Sequence, residues 1–413
     1  MVEVGLVLLL TLAALPGTLG PSARPANRAT RPAATPTAKA VAPQPAPSVS
    51  PTTPAPGLTL DMAVGQMMAA SFGGPVITDG LRHLILDEKV GTVLIFGDNF
   101  SDAASLGRLT AELQALGRQA GLPAPLLVAV DEEGGRVMRI TDGVTPLPSQ
   151  LALGSQGQRA VHDGVAATAA DMHRLGVELD LAPVADLRTN PQDGVIGDRS
   201  FGADPATVGG LVAAEVAGLH DGGVAATLKH FPGLGGAAGD PHAAIPSDPE
   251  SLQQWAATQA LSFQAGIDAG ADAVMTTAMI VPGLDPSGTP ALFSRAVVTG
   301  LLRQRLNFQG VIVTDGLGMG GITALYDLPT ATVAAVRAGN DLVLLNSADS
   351  AAESSAIEAV KQQVGAGVIS RKQVDESAAR VIALRARWPA WAPAPINDVP
   401  SATLELAASI RRR

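Results

Sequence analysis

Several residue types that most chains of this size use freely are scarce or missing. The 413 residues include no cysteine, which excludes disulfides, thiolate metal sites and cysteine nucleophiles. Aromatic residues make up 3% and charged residues 16%, and the formal net charge of -10 opposes binding to nucleic acid or to anionic membranes. Hydrophobic residues still make up 46%, so the sequence predicts a globular protein that acts on small or neutral molecules.

The amino-terminal part of the chain divides into two segments of different composition. Residues 6–15 form an apolar run that is too short to span a bilayer comfortably but has the length of a signal peptide. The preceding residues contain Glu3 and no lysine or arginine, so an uncleaved anchor or a misassigned start is an alternative. We predict a signal peptide or anchor at 1–20, and hence an exported protein, followed at 21–57 by a disordered linker rich in Pro, Ala and Thr.

Short apolar runs alternate with amphipathic stretches from residue 58 onward. Such runs are typical of parallel strands buried on both faces, and eight strand–helix units predict a (β/α)8 barrel of the TIM type, a single α/β domain over residues 58–390. A doubly wound open sheet is the alternative, but no G-x-G-x-x-G follows the first strand. A short tail, 391–413, leaves no room for a second sandwich domain. The predicted strands are 67–72, 91–96, 126–131, 177–183, 225–231, 272–280, 310–315 and 341–346.

Polar residues at the carboxyl ends of these strands are the candidate functional groups, because TIM-type barrels carry their chemistry there. Asp315 follows the seventh strand and precedes a glycine-rich turn, so it could attack a carbon electrophile or accept a proton; the alternative is a helix cap. The segment "DEEGGRVMR" after the third strand combines acids and arginines that suit recognition of hydroxyl groups, or that only form ion pairs within a loop. The candidates are Asp131, Asp186, Lys229, His230 and Asp315.

Two of the six histidines flank a glycine-rich loop, "KHFPGLGGAAGDPH", and its glycines predict that the whole loop is pliable. Lys229 and His230 end the fifth strand, where regular geometry would turn at most one of them toward the barrel axis. Lys229 could bind substrate or form a Schiff base. In the loop beyond, Asp240 lies two residues before His242, close enough to fix the imidazole tautomer for proton transfer. The other four histidines, which lie in predicted helices, are interpreted as surface or packing residues.

The motifs "VAVDEEGGRVMRI", "IGDRSFGADP", "KHFPGLGGAAGDPH", "FQGVIVTDGLGM" and "AVRAGNDLVLL" resemble, in order and spacing, those of glycoside hydrolase family 3. The similarity covers residues 60–388, roughly, and is greatest to the single-domain bacterial β-N-acetylglucosaminidases. The resemblance implies a retaining mechanism with Asp315 as nucleophile and a histidine acid/base, His242, paired with Asp240. It implies substrate-binding roles for Asp131, Arg139, Arg199, Lys229 and His230.

The predicted activity is release of terminal β-linked N-acetylglucosamine from short glycans by an exported enzyme. Scarce aromatic residues argue against a long glycan-stacking cleft, so muropeptide-like cell-wall fragments or chitooligosaccharides are the expected substrates. We expect a monomer with no metal, no cofactor and no nucleic-acid partner. Leu234 to Ala238, Ala278 and Gly316 depart from many relatives, which leaves the exact specificity open. The alternatives are another β-glycosidase specificity, phosphorolysis with the histidine acid/base, Schiff-base chemistry at Lys229 and a catalytically decayed cell-wall-binding protein.

Overall fold

The strands form one parallel barrel and a separate hairpin. The computed structural model describes residues 57–190, 195–237, 239–347 and 349–387, so the predicted leader, most of the linker and the predicted tail lie outside the described residues. The strands are β1 (Met68–Ala70), β2 (Thr92–Leu94), β3 (Leu127–Val130), β4 (Glu132–Gly134), β5 (Val137–Met138), β6 (Leu179–Asp180), β7 (Ala225–Phe231), β8 (Ala273–Thr276), β9 (Val311–Thr314) and β10 (Val343–Leu344).

The barrel prediction is confirmed. Eight strands pair in parallel in the order β10-β1-β2-β3-β6-β7-β8-β9, and a parallel bridge between Val313 and Leu342 joins the two ends of this order. Each predicted strand contains one of these eight, although most are shorter than predicted because the pairing ends before the apolar run does. The antiparallel hairpin β4–β5, which directly follows β3, was not predicted.

Successive side chains along each strand face the barrel interior and the surrounding helices in turn, and this divides the core into two layers. Ala69, Leu127 and Val313 belong to the cluster that fills the barrel, whereas Met68 and Val128 belong to the larger cluster that packs against the surrounding helices. Parallel strands covered on both faces must be apolar on both, which is why these runs show no polar alternation. The structure therefore explains the pattern from which the barrel was predicted.

The helices that follow the strands begin mostly at conventional caps. Thr59, Thr78, Asp102, Ser149 and Asp204 each accept a backbone N–H of the next helix through the side chain. The predicted helix before the seventh barrel strand is a π-helix, Ala296–Arg305. The α-helices are α1 (Leu60–Gln66), α2 (Asp79–Leu86), α3 (Ala103–Gln119), α4 (Gln150–Gly154), α5 (Gln158–Arg174), α6 (Pro205–Asp221), α7 (Leu252–Ala257), α8 (Gln259–Asp268), α9 (Gly320–Thr323), α10 (Leu328–Ala338), α11 (Ser350–Gly365) and α12 (Arg371–Arg387).

Helix α12 covers the amino-terminal end of the barrel. Val381 and Leu384 pack into the cluster that fills the barrel. Arg385, which is buried beside them, donates to the backbone carbonyls of Ala124 and Pro125. Side chains from α12 thus close one end, and the carboxyl ends of the strands surround the other. Within the described ranges, none of the helices has both the length and the apolarity that crossing a membrane requires.

Candidate active site

A pocket lies at the carboxyl ends of the barrel strands and collects the polar residues predicted from the strand ends. Its volume is about 230 Å³, somewhat below the range of roughly 300–1,000 Å³ that is usual for drug-sized ligands. Among the described residues that line it, Phe96 is the single aromatic one. Seven of the eight predicted site residues line this pocket: Asp131, Arg139, Arg199, Lys229, His230, His242 and Asp315.

Asp315 directly follows β9 and is only partly buried. Its Oδ2 accepts a hydrogen bond of 2.7 Å from the Thr277 hydroxyl, and its Oδ1 accepts one of 2.9 Å from the Gly316 backbone N–H. Met319, not Asp315, is the N-cap residue of the next helix, α9. The helix-cap interpretation of Asp315 is therefore wrong, and the two hydrogen bonds fix the carboxylate at the pocket.

His242 and Asp240 form a pair at the rim. The imidazole Nδ1 lies 2.9 Å from Asp240 Oδ1, which also accepts the His242 backbone N–H. A carboxylate can only accept, so Nδ1 carries the proton and Nε2 is left for other partners. Burial raises the pKa of Asp240, but the hydrogen bonds from His242 outweigh it and leave that pKa below its usual value. The His242 side chain is 69% exposed, so it can meet a ligand from the solvent side.

The segment that carries His242 rests on two glycines of α9, Gly320 and Gly321. The Gly321 N–H donates to the Pro241 carbonyl over 3.1 Å. A Cβ built on Gly320 would come within 2.3 Å of the His242 carbonyl oxygen, and one on Gly321 within 2.6 Å of the Pro241 oxygen. Only residues without a side chain permit this approach. The turn after Asp315 thus supports the histidine segment directly.

The first half of the glycine-rich loop is packed, contrary to the expectation that the whole loop is pliable. Leu234 is buried at the pocket, and its N–H donates to Asp186 Oδ1 over 2.6 Å. A Cβ on Gly233 or on Gly235 would meet Gln259 or the Leu187 carbonyl within 2.5 Å. These glycines permit close packing, so the segment from Gly233 to Gly235 does not have the freedom that the sequence suggests.

Lys229 is the buried cation of the pocket. Its Nζ lies 2.6 Å from Asp131 Oδ1 and 2.6 Å from Glu133 Oε1, and its side chain is 2% exposed. Burial alone lowers the pKa of Lys229, but the two carboxylates outweigh burial and leave it above the ordinary value. A lysine held as an ammonium is a poor amine nucleophile. This geometry argues against the Schiff-base interpretation and for recognition of polar ligand groups.

Glu133 joins Lys229 to Arg199. The guanidinium of Arg199, which is partly buried, donates to both oxygens of the buried Glu133, each over 2.7 Å, in a bidentate pair. Burial raises the pKa of Glu133, yet Lys229 and Arg199 together hold it far below the ordinary value. Because the carboxylate is ionised and fully occupied, it fixes the directions in which both cations face the pocket.

His230 also faces the pocket, so the expectation that only one of the adjacent pair would do so is wrong. The register of β7 against β8 shifts between Leu228 and Phe231, and the strand leaves regular geometry there. The His230 Nδ1 lies 2.7 Å from Asp186 Oδ2, which leaves Nε2 near the Arg199 guanidinium at 3.4 Å. Asp186 thus orients His230 from behind.

Arg139 reaches the pocket from the unpredicted hairpin. Its guanidinium lies 3.8 Å from Asp131 Oδ2, and its Nε is buried without a hydrogen-bond partner among the described residues. The backbone N–H groups of Arg139 and Ile140 both donate to Glu132 Oε2, over 2.8 and 3.0 Å. Glu132 therefore holds the position of an arginine that has donors free for a ligand.

Four residues of the site were not assigned roles from the sequence. Glu133 and Asp186 lie in segments that the strand-end argument had reached, but nothing in the sequence shows which side chain each contacts. Thr277 and Asn346 look like ordinary residues at strand ends, and only the barrel brings them to Asp315 and to the pocket. They could have been found if neutral residues at strand ends had been considered as well as charged ones.

Three of the four remaining histidines pair with carboxylates, and each of these three histidines lies on a helix away from the pocket. His83 contacts Asp87, and His220 contacts Asp272. His162 lies between two aspartates on α5 and α6. In the described part of the chain, no group of three or more His, Asp or Glu side chains is arranged to hold a metal ion.

An open barrel end that combines a fixed carboxylate, a carboxylate–imidazole pair and a lysine–arginine network has the groups that a barrel glycoside hydrolase needs. Comparison with known proteins agrees with this assignment. Residues 59–384 match the Glycosyl hydrolase family 3 N terminal domain. The chain belongs to this family and is a glycoside hydrolase, which confirms the resemblance found in the sequence motifs.

Relatives and solved structures are similar over most of the barrel. A beta-hexosaminidase from Methylobacillus flagellatus is 36% identical over 300 residues, which are 71% of this chain and 83% of the relative. A beta-hexosaminidase from Thiobacillus denitrificans is 37% identical over 291 residues, 69% of this chain and 79% of the relative. The structure of a family 3 beta-N-acetylglucosaminidase from Paenibacillus superimposes with a TM-score of 0.82 at 35% identity and covers 86% of this chain and 68% of that one.

The buried acids beneath the pocket predict that the protein loses stability as the pH rises. Burial raises the pKa of Glu132 to about 8 and that of Asp180 to about 7. A carboxyl group whose pKa is higher in the folded than in the unfolded state stabilises the fold at low pH. This contribution is lost as the pH rises through the pKa of the folded state. We expect a lower free energy of unfolding at pH 8.5 than at pH 5.5, measured by urea denaturation.

Glu132→Gln should weaken this pH dependence by up to about 1.4 kcal/mol per pH unit, the value for one proton. The amide oxygen can still accept the N–H groups of Arg139 and Ile140. Glu358→Gln, at an exposed position on α11, is the matched control and should leave the dependence unchanged. If the free energy of unfolding of Glu132→Gln falls with pH as steeply as that of the wild type, the raised pKa of Glu132 is contradicted.

Proposed function

We propose that this glycoside hydrolase is a retaining, exo-acting β-N-acetylglucosaminidase. The observation that carries the proposal is the placement of Asp315 and His242 on one pocket, each fixed by its own hydrogen bonds. The names of the relatives support the sugar, since beta-hexosaminidases and a beta-N-acetylglucosaminidase are among the proteins that are at least 35% identical.

In the proposed first step, an Asp315 oxygen attacks the anomeric carbon while the bond to the leaving oxygen breaks. His242 Nε2 gives its proton to that oxygen, and the Asp240 carboxylate stabilises the imidazolium beforehand through Nδ1. The product is a covalent glycosyl-enzyme. In the second step His242 removes a proton from water, the hydroxide attacks the anomeric carbon, and the bond to Asp315 breaks.

The size of the pocket supports action on a terminal residue. A volume of about 230 Å³ suits a single sugar ring rather than a chain of rings, and Phe96 gives at most one stacking surface among the described lining residues. The buried carboxylate–lysine–arginine network supplies fixed donors and acceptors for sugar hydroxyls. Terminal residues of short cell-wall or chitooligosaccharide fragments are the substrates that we propose.

The location and assembly of the enzyme are also proposals. The apolar and Pro-rich composition of residues 1–57 supports export, with the barrel tethered in or beyond the cell envelope as a monomer and without a nucleic-acid partner. Fractionation of the full chain expressed in a bacterial host tests this directly. Accumulation in the cytoplasm with an unprocessed amino terminus would count against export.

Asp315→Asn is expected to lower kcat for an aryl β-N-acetylglucosaminide by at least about 10³-fold, because the isosteric amide keeps the Thr277 contact but cannot form the glycosyl ester. Release of nitrophenol at saturating substrate measures this. Asp268→Asn, an exposed change on α8, is the matched control and should have wild-type activity. An Asp315→Asn variant with most of its activity would refute the nucleophile assignment.

His242→Ala should impair glycosides with poor leaving groups far more than activated ones, because protonation matters most when the departing oxygen is basic. A series of aryl β-N-acetylglucosaminides with increasing phenol pKa tests this through the slope of log kcat/KM. We expect a steeper slope for the variant than for the wild type. Equal losses across the series would mean that His242 does not act as the acid.

Gly321→Ala gives an independent test of the same role. Its Cβ would come within 2.6 Å of the Pro241 carbonyl oxygen and displace the segment that bears His242, so the slope should steepen in the same direction. Gly365→Ala, at the end of α11 with no atom within 4 Å of the added Cβ, is the matched control.

The same panel, run with and without phosphate and with β-glucosides and β-xylosides, distinguishes hydrolysis from phosphorolysis and identifies the sugar.

A further inference from the structure

Asn346 lines the pocket beside Asp315 and has no part in the mechanism described above. It follows the eighth barrel strand, β10, and lies partly buried. The network of Lys229 and its carboxylates comes from the third and fifth strands of the barrel, so Asn346 approaches a bound sugar from a different side. Sequence motifs gave no reason to single it out.

A hydrogen bond holds the Asn346 side chain. The buried Ser71 hydroxyl donates to its Oδ1 over 3.1 Å, and Nδ2 is the amide atom that lies next to Gly316. The backbone of Asn346 has a φ of 44°, in the left-handed region that asparagine tolerates. Its Nδ2 donates to no residue that the structure describes, so a donor is held at the pocket without a partner.

Glycines bring this donor next to the nucleophile. A Cβ on Gly316, the residue after Asp315, would lie 2.8 Å from Asn346 Nδ2. A Cβ on Gly318 would lie 2.0 Å from the Asn346 carbonyl oxygen. The turn after Asp315 can therefore lie directly against Asn346, and the Nδ2 donor belongs to the immediate surroundings of the carboxylate that reaches the anomeric carbon.

Two ring atoms are bonded to the anomeric carbon, the ring oxygen and carbon 2. The ring oxygen gains positive charge in the oxocarbenium-like transition state, so a donor aimed at it would oppose the reaction. A donor beside the nucleophile is useful on the substituent of carbon 2, where hydrogen bonds strengthen in the transition state. In an N-acetylglucosaminide that substituent offers a carbonyl oxygen as acceptor.

We infer that Asn346 is a specificity-determining residue whose Nδ2 donates to the acetamido carbonyl on carbon 2, with Ser71 as a positioning residue behind it. The inference rests on the proposed function. It assigns recognition of the acetamido group to the residue after the eighth strand. Recognition of the hydroxyl groups on the other ring carbons is assigned to the lysine–arginine network.

The test compares wild type and Asn346→Ala on 4-nitrophenyl β-glycosides that differ only at carbon 2: acetamido, trifluoroacetamido and hydroxyl. The trifluoroacetyl carbonyl is a weaker acceptor. The readout is the ratio of kcat/KM between acetamido and each other substrate, because a general loss of activity cancels in this ratio. We expect the ratio to shrink roughly three- to tenfold in the variant, the value of one neutral hydrogen bond.

Further variants separate loss of the donor from damage to the fold. Asn346→Asp keeps the left-handed backbone and the Ser71 contact but removes the donor, so its ratio should shrink as well. Ser71→Ala frees the amide and should reduce the ratio less. Asn307→Ala, at an exposed position with a φ of 53°, matches the backbone change and should leave the ratio at the wild-type value.

The outcomes distinguish this inference from the proposed function. If the wild type is active on the acetamido substrate and its ratios equal those of both Asn346 variants, the role of Asn346 is overturned and the proposed function still stands. Wild type that does not release nitrophenol from the acetamido substrate but does so from the hydroxyl substrate overturns the proposed sugar and the inference with it.

Discussion

The buried ammonium of Lys229 is the interaction on which the pocket depends. A charge removed from water is tolerated only when opposite charges and hydrogen bonds compensate it, and here Asp131 and Glu133 lie 2.6 Å from the nitrogen. Glu133 must in turn be shared with Arg199, and this requirement ties the third and fifth barrel strands to the loop that precedes α6. The network gives a small pocket fixed directions for binding polar groups.

Glycine has two different uses around this pocket. In the turn after Asp315 and in the first half of the loop after β7, its missing side chain lets backbone segments lie against one another. Gly320 and Gly321 support the His242 segment, and Gly316 admits Asn346. The turn after Asp315 is thus the common support for the proposed acid and for the proposed recognition of carbon 2, although these groups come from different strands.

The fold was predictable because its signal is local and repeated. Continuous apolar runs at regular intervals indicate strands covered on both faces, and the count of eight indicated a barrel before any motif was considered. The hairpin β4–β5 was missed because it is short, rich in glycine and acids, and held by the buried Glu132 carboxylate rather than by an apolar pattern. Its absence from the prediction matters, since it carries Arg139.

The sequence predicted which residues form the site better than it predicted what each residue contacts. Asp315, Lys229 and His230 follow from position at strand ends, and the carboxylate–imidazole pair follows from the spacing of Asp240 and His242. The expectation about Lys229 and His230 was wrong because a register shift in β7 turns both toward the pocket. The supposed pliability of the loop was wrong in its first half because packing, which composition does not encode, decides it.

The sequence by itself determined the barrel, the absence of cysteine chemistry and the chemical types available at the strand ends, because these depend on local periodicity and residue identity. The tertiary structure alone decided the partners: Glu133 with Lys229 and Arg199, Asp186 with His230, Thr277 with Asp315, and Ser71 with Asn346. Each of these pairs joins different strands or loops, and Ser71 lies 275 residues from Asn346 in the chain. Closure of the barrel brings such residues within hydrogen-bonding distance, and no local pattern records that closure.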